Sequence, residues 1–170
     1  TGGYYGVEVG SDMSGNFDNS GSITGNKFYG VYLVSNLDGN FTNSGNITGG
    51  YYGVTIGSTM SGDFNNSGNI SGDKFYGVYI ASNLDGNFTN SGNIEGGYYG
   101  VHIGSVMSGD FNNSGNIVGH KNYGVSIESG LNGNFTNSGN ITNNGCYGVY
   151  VGSDVNGDFA NSGNITGGYY

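Results

Sequence analysis

Proline, tryptophan and arginine are missing from this 170-residue chain, and cysteine occurs once, at Cys146. A collagen triple helix is excluded, because the 38 glycines do not recur at every third residue and no proline accompanies them. One cysteine cannot close an internal disulfide. The chain also lacks an apolar run of about 20 residues, the length that a membrane helix requires, so membrane insertion is not expected.

Charged residues are scarce as well. They make up 9% of the chain, whereas aromatic residues make up 14%, which is the reverse of the composition that keeps a chain disordered. Twelve acidic residues outnumber three lysines and give a net charge of −9. Because nucleic acids and anionic membrane surfaces attract cationic proteins, neither is expected as a partner. No basic start followed by an apolar stretch suggests a signal peptide.

Repetition is what the chain has in abundance. The segment GNFTNSGNIT at residues 39–48 returns with small changes throughout, and the chain divides into seven units and a stub, residues 166–170. The first six units alternate between 23 and 24 residues, and Lys27, Lys74 and Lys121 mark the longer type, which suggests a two-unit period. The units are residues 1–23, 24–47, 48–70, 71–94, 95–117, 118–141 and 142–165.

Within each unit, apolar or small residues alternate with polar residues or glycine. A period of two indicates strands with one buried face. Turn-prone residues divide the first unit into three predicted strands, near residues 5–9, 13–17 and 22–24. Such a unit forms one rung of an all-β parallel β-solenoid, whose strands pair with their copies in the next rung at about 4.8 Å. The sequence therefore predicts a single uncapped solenoid over residues 1–170, with seven rungs and three short strands per rung.

The unchanging Asn-Ser-Gly of each unit has a structural interpretation. Residues at the same place in every unit form a column, so the asparagines can hydrogen-bond from rung to rung as an amide ladder at an inward corner. The glycine that follows is expected to complete the turn with a positive φ. The predicted ladder consists of Asn19, Asn43, Asn66, Asn90, Asn113, Asn137 and Asn161.

Six inward columns are predicted to form the core. Four of them begin at Tyr5, Val7, Val9 and Met13, and the other two are uniform along the chain. Burial of six side chains does not offset the backbone entropy of a rung, so stability must come from stacking. The uniform columns are Phe17, Phe41, Phe64, Phe88, Phe111, Phe135 and Phe159, and Ile23, Ile47, Ile70, Ile94, Ile117, Ile141 and Ile165.

The recurring NSGxI and YGVxI segments extend over essentially the whole chain. In these segments the chain resembles the β-helical passenger repeats of bacterial autotransporters and large adhesins. The resemblance implies a right-handed parallel β-helix that is extracellular or displayed on the cell surface, where it serves adhesion or acts as a stalk.

Acidic residues near the second strand are staggered. Asp38, Asp63, Asp85 and Asp110 alternate between two outward columns. Carboxylates stacked about 5 Å apart would repel by about 0.8 kcal/mol even in water, so the staggering indicates a solvated face that avoids like-charge contacts. Weak Ca²⁺ binding between staggered pairs is the alternative, and no other cofactor or metal is expected.

A second outward surface is predicted to be aromatic and to border a column of outward-facing glycines. A glycine within a strand indicates a bend or a close backbone approach. The alternative is a groove where another solenoid packs laterally, or where a sugar stacks on the aromatic corner. This lateral contact face consists of Tyr4, Phe28, Tyr51, Phe75 and Tyr98 with Gly6, Gly30, Gly53, Gly77 and Gly100.

The remaining face presents outward asparagine and threonine columns, which resemble those of ice-binding solenoids, although Glu95 and Val118 interrupt the threonine column. Catalysis is not expected, because His102 and His120 fall in different columns and no Ser-His or metal-ligand spacing recurs.

The sequence therefore predicts a non-enzymatic structural protein. It would form or extend an extracellular fibre or adhesin stalk by head-to-tail and lateral self-association. The alternative function is a surface binding module for a host or polysaccharide surface, with ice binding as the weaker form of that alternative.

Overall fold

The computed structural model describes residues 1–168, which form 21 strands in three parallel sheets of seven. Each rung contributes one strand to each sheet, and each strand pairs in parallel with its copies in adjacent rungs. These residues contain no helix, and so none that could span a membrane. The predicted all-β solenoid with seven rungs is confirmed.

Strand bounds repeat from rung to rung. The first sheet contains β1 (Tyr5–Val9), β4 (Tyr29–Leu33), β7 (Tyr52–Ile56), β10 (Tyr76–Ile80), β13 (Tyr99–Ile103), β16 (Tyr123–Ile127) and β19 (Tyr147–Val151). The second contains β2 (Phe17–Asn19), β5 (Phe41–Asn43), β8 (Phe64–Asn66), β11 (Phe88–Asn90), β14 (Phe111–Asn113), β17 (Phe135–Asn137) and β20 (Phe159–Asn161). The third contains β3 (Ser22–Gly25), β6 (Asn46–Gly49), β9 (Asn69–Gly72), β12 (Asn93–Gly96), β15 (Asn116–Gly119), β18 (Asn140–Asn143) and β21 (Asn164–Thr166).

The core is a set of continuous columns between the three sheets. In the inner rungs, the predicted valine, isoleucine, leucine, methionine and phenylalanine columns are 0–1% exposed. The phenylalanine rings stack with centroids 4.6–4.9 Å apart and planes within 4° of parallel. This separation matches the strand spacing of about 4.8 Å, so each ring contacts its copy without distorting the sheets.

The predicted strand over residues 13–17 is wrong in its bounds. The second strand of the first rung is Phe17–Asn19, whereas Met13 makes only an isolated parallel bridge to Leu37. Backbone pairing continues at single residues along this column, so each rung has a short fourth side. The positions two residues before and after Met13 are Ser11 and Gly15, which supply no apolar side chain for a longer alternating strand.

The predicted inward tyrosine column and outward glycine column exchange sides. The Tyr29 ring lies outside, 4.5 Å from the ring of Tyr32 in the same strand. A Cβ on Gly30 would lie 2.5 Å from Cγ2 of the buried Ile47, so the glycine faces the third sheet. Gly30 and Val31 are consecutive buried residues, and the alternation of period two is therefore interrupted at the glycine.

The glycine of Asn-Ser-Gly is also needed for a different reason from the one predicted. No glycine in the described residues has φ in the left-handed region. Instead, a Cβ on Gly68 would overlap the carbonyl oxygen of Gly45 in the preceding rung, and the same overlap recurs along the column. Close approach of neighbouring rungs, rather than a positive φ, excludes a side chain here.

Candidate functional site

The inward asparagine ladder is confirmed, and it runs through all seven rungs. Each side-chain amide donates from Nδ2 to Oδ1 of the asparagine in the following rung, at 2.7–2.8 Å, from Asn19 through to Asn161. From Asn43 to Asn137 these side chains are 0–2% exposed. The ladder therefore binds each rung to the next inside the molecule.

The second N–H of each ladder amide is used within its own rung. Asn43 Nδ2 also donates to the carbonyl oxygen of Gly45 at 3.1 Å, and the equivalent bond recurs in every rung. Each inner amide thus satisfies both donors and its acceptor without water. A buried position that needs two donors and an acceptor in this geometry accepts asparagine alone among short side chains.

A second asparagine ladder lies on the exposed face of the third sheet. Asn69 Nδ2 donates to Asn46 Oδ1 at 2.8 Å, and four further bonds of 2.7–2.8 Å continue the ladder to Asn164. Its donors point to the preceding rung, opposite to the inner ladder. The column was expected to point outward, but the ladder was not predicted; the asparagine that precedes every core isoleucine from Ile47 onwards was the available signal.

A third column caps the backbone of successive rungs. Oδ1 of Asp63 accepts the backbone N–H of Asn87 at 2.8 Å, and Oδ1 of Asn87 accepts that of Asp110 at 2.8 Å. Asn87 Nδ2 also donates to Asp63 at 3.2 Å. Carboxylates in this column therefore alternate with amides. Asp38 and Asp85 are separated in the same way by Ser61 in the neighbouring column, so the predicted staggering is confirmed.

The predicted aromatic corner forms a continuous column on the outer surface. Neighbouring rings from Tyr4 to Tyr98 lie 5.2–5.6 Å apart. The chain's three lysines lie at the same corner, two rungs apart, and each Nζ lies 4.5–4.8 Å from a tyrosine centroid. Each of these ammonium groups covers one face of its tyrosine ring.

Beside the corner, the first sheet carries an outer tyrosine column that the sequence analysis had placed in the core. Its rings lie 4.8–5.6 Å apart from Tyr5 to Tyr147. Burial, together with repulsion from neighbouring phenolates, raises the pKa of Tyr29 and of Tyr76 to about 12. The column members are Tyr5, Tyr29, Tyr52, Tyr76, Tyr99, Tyr123 and Tyr147.

The glycines of the predicted lateral contact face do not form an outer groove. Gly30, Gly53, Gly77 and Gly100 are buried against isoleucines of the third sheet, and Gly6 in the first rung is half-buried. The aromatic residues of this predicted face lie outside, as expected. Its glycines instead allow the first and third sheets to pack closely.

A cleft of about 430 Å³ lies at the aromatic corner. Its lining combines cations, an acid and aromatic rings from three successive rungs. His120, at its edge, lies 2.7 Å from the Glu95 carboxylate through Nε2. The lining residues are Asp73, Lys74, Phe75, Gly97, Tyr98, His120 and Lys121.

The other histidine is enclosed by the tyrosine column rather than displayed on the surface. The His102 ring lies 4.9 Å from Tyr99 and 5.3 Å from Tyr79, and burial lowers its pKa against the opposing effect of Glu128. Ser126 donates to Glu128 at 2.7 Å and not to the histidine. This connectivity provides no activated serine.

No group of three or more histidine, cysteine or acidic side chains within residues 1–168 is arranged to hold a metal ion. Oδ1 of Asp63 and Oδ1 of Asp110 each accept a backbone and an amide N–H group, which leaves fewer oxygen lone pairs for a cation. Weak Ca²⁺ binding stays a prediction.

The stacked sheets and their ladders define a tandem-repeat β-solenoid of the β-helix type. Comparison of the chain with family models, with curated proteins and with solved structures gave no match.

Proposed function

We propose that the chain is a structural repeat protein that forms or extends an extracellular fibre, or an adhesin stalk, by rung-on-rung stacking. The observation that carries this proposal is that the same core columns and side-chain bonds recur at every interface between inner rungs. The seventh rung covers Phe135, which is 0% exposed, whereas Phe159 in the seventh rung is 52% exposed. A further rung in the same register would bury Phe159 and accept a bond from Asn161, whether it belongs to the same polypeptide or to a second copy.

The distribution of contacts also favours a mechanical role over a catalytic one. The two asparagine ladders and the column that caps the backbone all join adjacent rungs, so the same set of bonds recurs along the axis. In a repeat protein of this kind, stability comes from the interfaces between neighbours. The location outside the cell rests on the resemblance of the units to adhesin passenger repeats.

Electron microscopy of the purified chain tests the stacking. Filaments one solenoid wide are expected, because the exposed core of the last rung is apolar and carries unpaired strand edges. Phe159→Glu places a charge in the stacking face and should abolish the filaments.

The matched control is Ala160→Glu, which carries the same charge one residue later on the exposed side of the same strand. Filaments should persist in this variant. Wild-type protein that stays monomeric at every concentration, or filaments that survive Phe159→Glu, would contradict self-stacking.

The corner cleft supports a second candidate function, the recognition of a saccharide. It combines Tyr98 and Phe75 with hydrogen-bonding side chains at the edge of an open concavity, which is the composition of many small-ligand sites. Saccharide binding that falls at least tenfold in Tyr98→Ala, but not in Tyr32→Ala on the first sheet three rungs away, would support it. Equal binding by both variants would exclude the cleft. Ice binding through the outer asparagine face has less support, because those amides are bonded to one another.

A further inference from the structure

The outer tyrosine column differs chemically from the core ring column. All seven rings of the core column are phenylalanine, and all seven rings of the outer column are tyrosine. Five of the six neighbouring pairs in the outer column have planes within 27° of parallel, at centroid distances of 4.8–5.6 Å. Nearly parallel rings at this distance lie over one another with an offset, which brings the carbons ortho to each hydroxyl close to the next ring. Rings of the inner rungs are half-buried, so a small oxidant can reach them.

We propose that this column is a site of oxidative cross-linking, at which a peroxide-dependent one-electron oxidant joins tyrosines of adjacent rungs as dityrosine. Each of two tyrosines loses one electron and its hydroxyl proton to form a phenoxyl radical. The radicals form a carbon–carbon bond between ortho carbons, and the hydrogen on each of these carbons moves to the oxygen as the rings regain aromaticity. The two electrons and two protons reduce one hydrogen peroxide to two water molecules.

The geometry selects partners in the same chain. Well-oriented intramolecular groups react with effective concentrations of about 10⁵ M or more, far above the concentration of any other chain in a dilute solution. Tyr29 with Tyr52, at 4.8 Å and 9°, and Tyr52 with Tyr76, at 5.3 Å and 22°, are the closest pairs that join rungs in the first half of the column. Tyr29 and Tyr32 are closer still, but a bond between them would remain within one strand.

Such a bond would reinforce the solenoid where disulfides cannot. A covalent link between adjacent rungs closes a loop of 23 or 24 residues and restricts the unfolded chain, as a disulfide would. The raised pKa of Tyr29 and Tyr76 keeps these phenols protonated at neutral pH, so each oxidation releases a proton to solvent. The melting temperature of the oxidised chain is expected to rise.

The positions of the lysines make the test direct. Trypsin cleaves after Lys27, Lys74 and Lys121, which places Tyr52 and Tyr76 in different peptides, residues 28–74 and 75–121. The dilute chain is treated with a haem peroxidase and hydrogen peroxide, then denatured, digested and analysed by mass spectrometry. The expected result is a monomer-sized product with dityrosine fluorescence, in which a Tyr52–Tyr76 bond joins these two peptides.

Tyr52→Phe keeps the ring and its stacking but removes the phenol. It should eliminate the link between these two peptides, whereas Tyr51→Phe at the corner should retain it. Absence of dityrosine, links only between chains, a link pattern equal to that of the guanidinium-unfolded chain, or a link unaffected by Tyr52→Phe would each overturn the proposal. The test needs no filaments, so its failure would leave the proposed fibre untouched.

Discussion

At the scale of the residue, hydrogen-bonding capacity explains which columns are uniform and which vary. The inner ladder needs a donor and an acceptor on every side chain, and every rung supplies asparagine there. The capping column needs only an acceptor for the next backbone N–H, and there asparagine and aspartate alternate. An aspartate in the inner ladder would have no N–H to donate, and a serine would be too short to reach the next rung.

Asn90→Leu should therefore destabilise the protein strongly. It removes the acceptor for Asn66 Nδ2 and the donor for Asn113 Oδ1, both of them buried. An unsatisfied buried polar group costs about 1–3 kcal/mol, so a loss of about 2–5 kcal/mol in the free energy of unfolding is expected from urea titration.

Asn93→Leu is the matched control, because Asn93 belongs to the exposed ladder and water can replace its bonds. A loss below about 1 kcal/mol is expected for it. Equal losses for the two variants would mean that the inner ladder contributes no more than the outer one.

At the scale of the strand, glycine decides how closely backbones approach. Gly30 and its copies allow the first and third sheets to meet, and Gly45 and its copies allow successive Asn-Ser-Gly turns to lie against each other. A Cβ at these positions would press on backbone atoms, which cannot move aside as a flexible side chain can.

Gly68→Ala and Gly21→Ala test this within one column. The Cβ of Gly68→Ala would overlap the Gly45 carbonyl oxygen, whereas nothing lies within 4 Å of the same Cβ at Gly21. Gly68→Ala should lower the free energy of unfolding by about 1–3 kcal/mol or more, as overpacking does. Gly21→Ala should be neutral or stabilising by up to about 1 kcal/mol, because alanine restricts the unfolded chain. Similar denaturation midpoints for the two variants would refute the role of close approach.

Stacking of the strands also makes the contribution of the tyrosine column to protein stability depend on pH at high pH. The folded pKa of Tyr29 and Tyr76 is about 12, against an ordinary value of 10.0. A raised folded pKa means a contribution that is fully present below pH 10 and is lost as pH rises towards 12. The urea midpoint should fall across this window and fall less in a Tyr29→Phe/Tyr76→Phe variant; an identical fall in both proteins would assign it to other groups.

Much of this fold follows from the sequence, because identical residues in a solenoid must occupy one column. The repeat length, the inner ladder and the phenylalanine and isoleucine columns were predictable for that reason. The tyrosine column was placed on the wrong side, because strict alternation from Val31 backwards puts Tyr29 inside. The interruption at Gly30 depends on the fit of a glycine against Ile47 in another sheet, and alternation within one strand carries no information about that contact.

At the scale of the whole molecule, the two-rung period prevents carboxylates from stacking on one another in the capping column. Asp63 lies between Asn40 and Asn87 rather than beside another carboxylate. The unit that can be added or removed without conflict is therefore two rungs, or 47 residues.

Deletion of one rung or of two rungs tests this period, because the effect of Asp63→Asn on stability should have opposite signs in the two deletions. Removing residues 71–94 takes out one rung and places Asp63 directly against Asp110, whereas removing residues 71–117 takes out two and places Asp63 against Asn134. Carboxylates about 5 Å apart repel by about 0.8 kcal/mol at the dielectric of water and by about 3 kcal/mol at an effective value of 20. Asp63→Asn should therefore stabilise the one-rung deletion by about 1–3 kcal/mol in urea titrations at low salt.

In the full chain and in the two-rung deletion, the same substitution should instead destabilise. There Asp63 accepts the backbone N–H of the next rung, at 2.8 Å from Asn87 in the full chain, and its charge strengthens that bond. High salt should reduce the benefit in the one-rung deletion, because the repulsion is between exposed charges. If Asp63→Asn shifted stability in the same direction in all three chains, the alternation of rungs would have no electrostatic basis, and a single rung would be the true repeat.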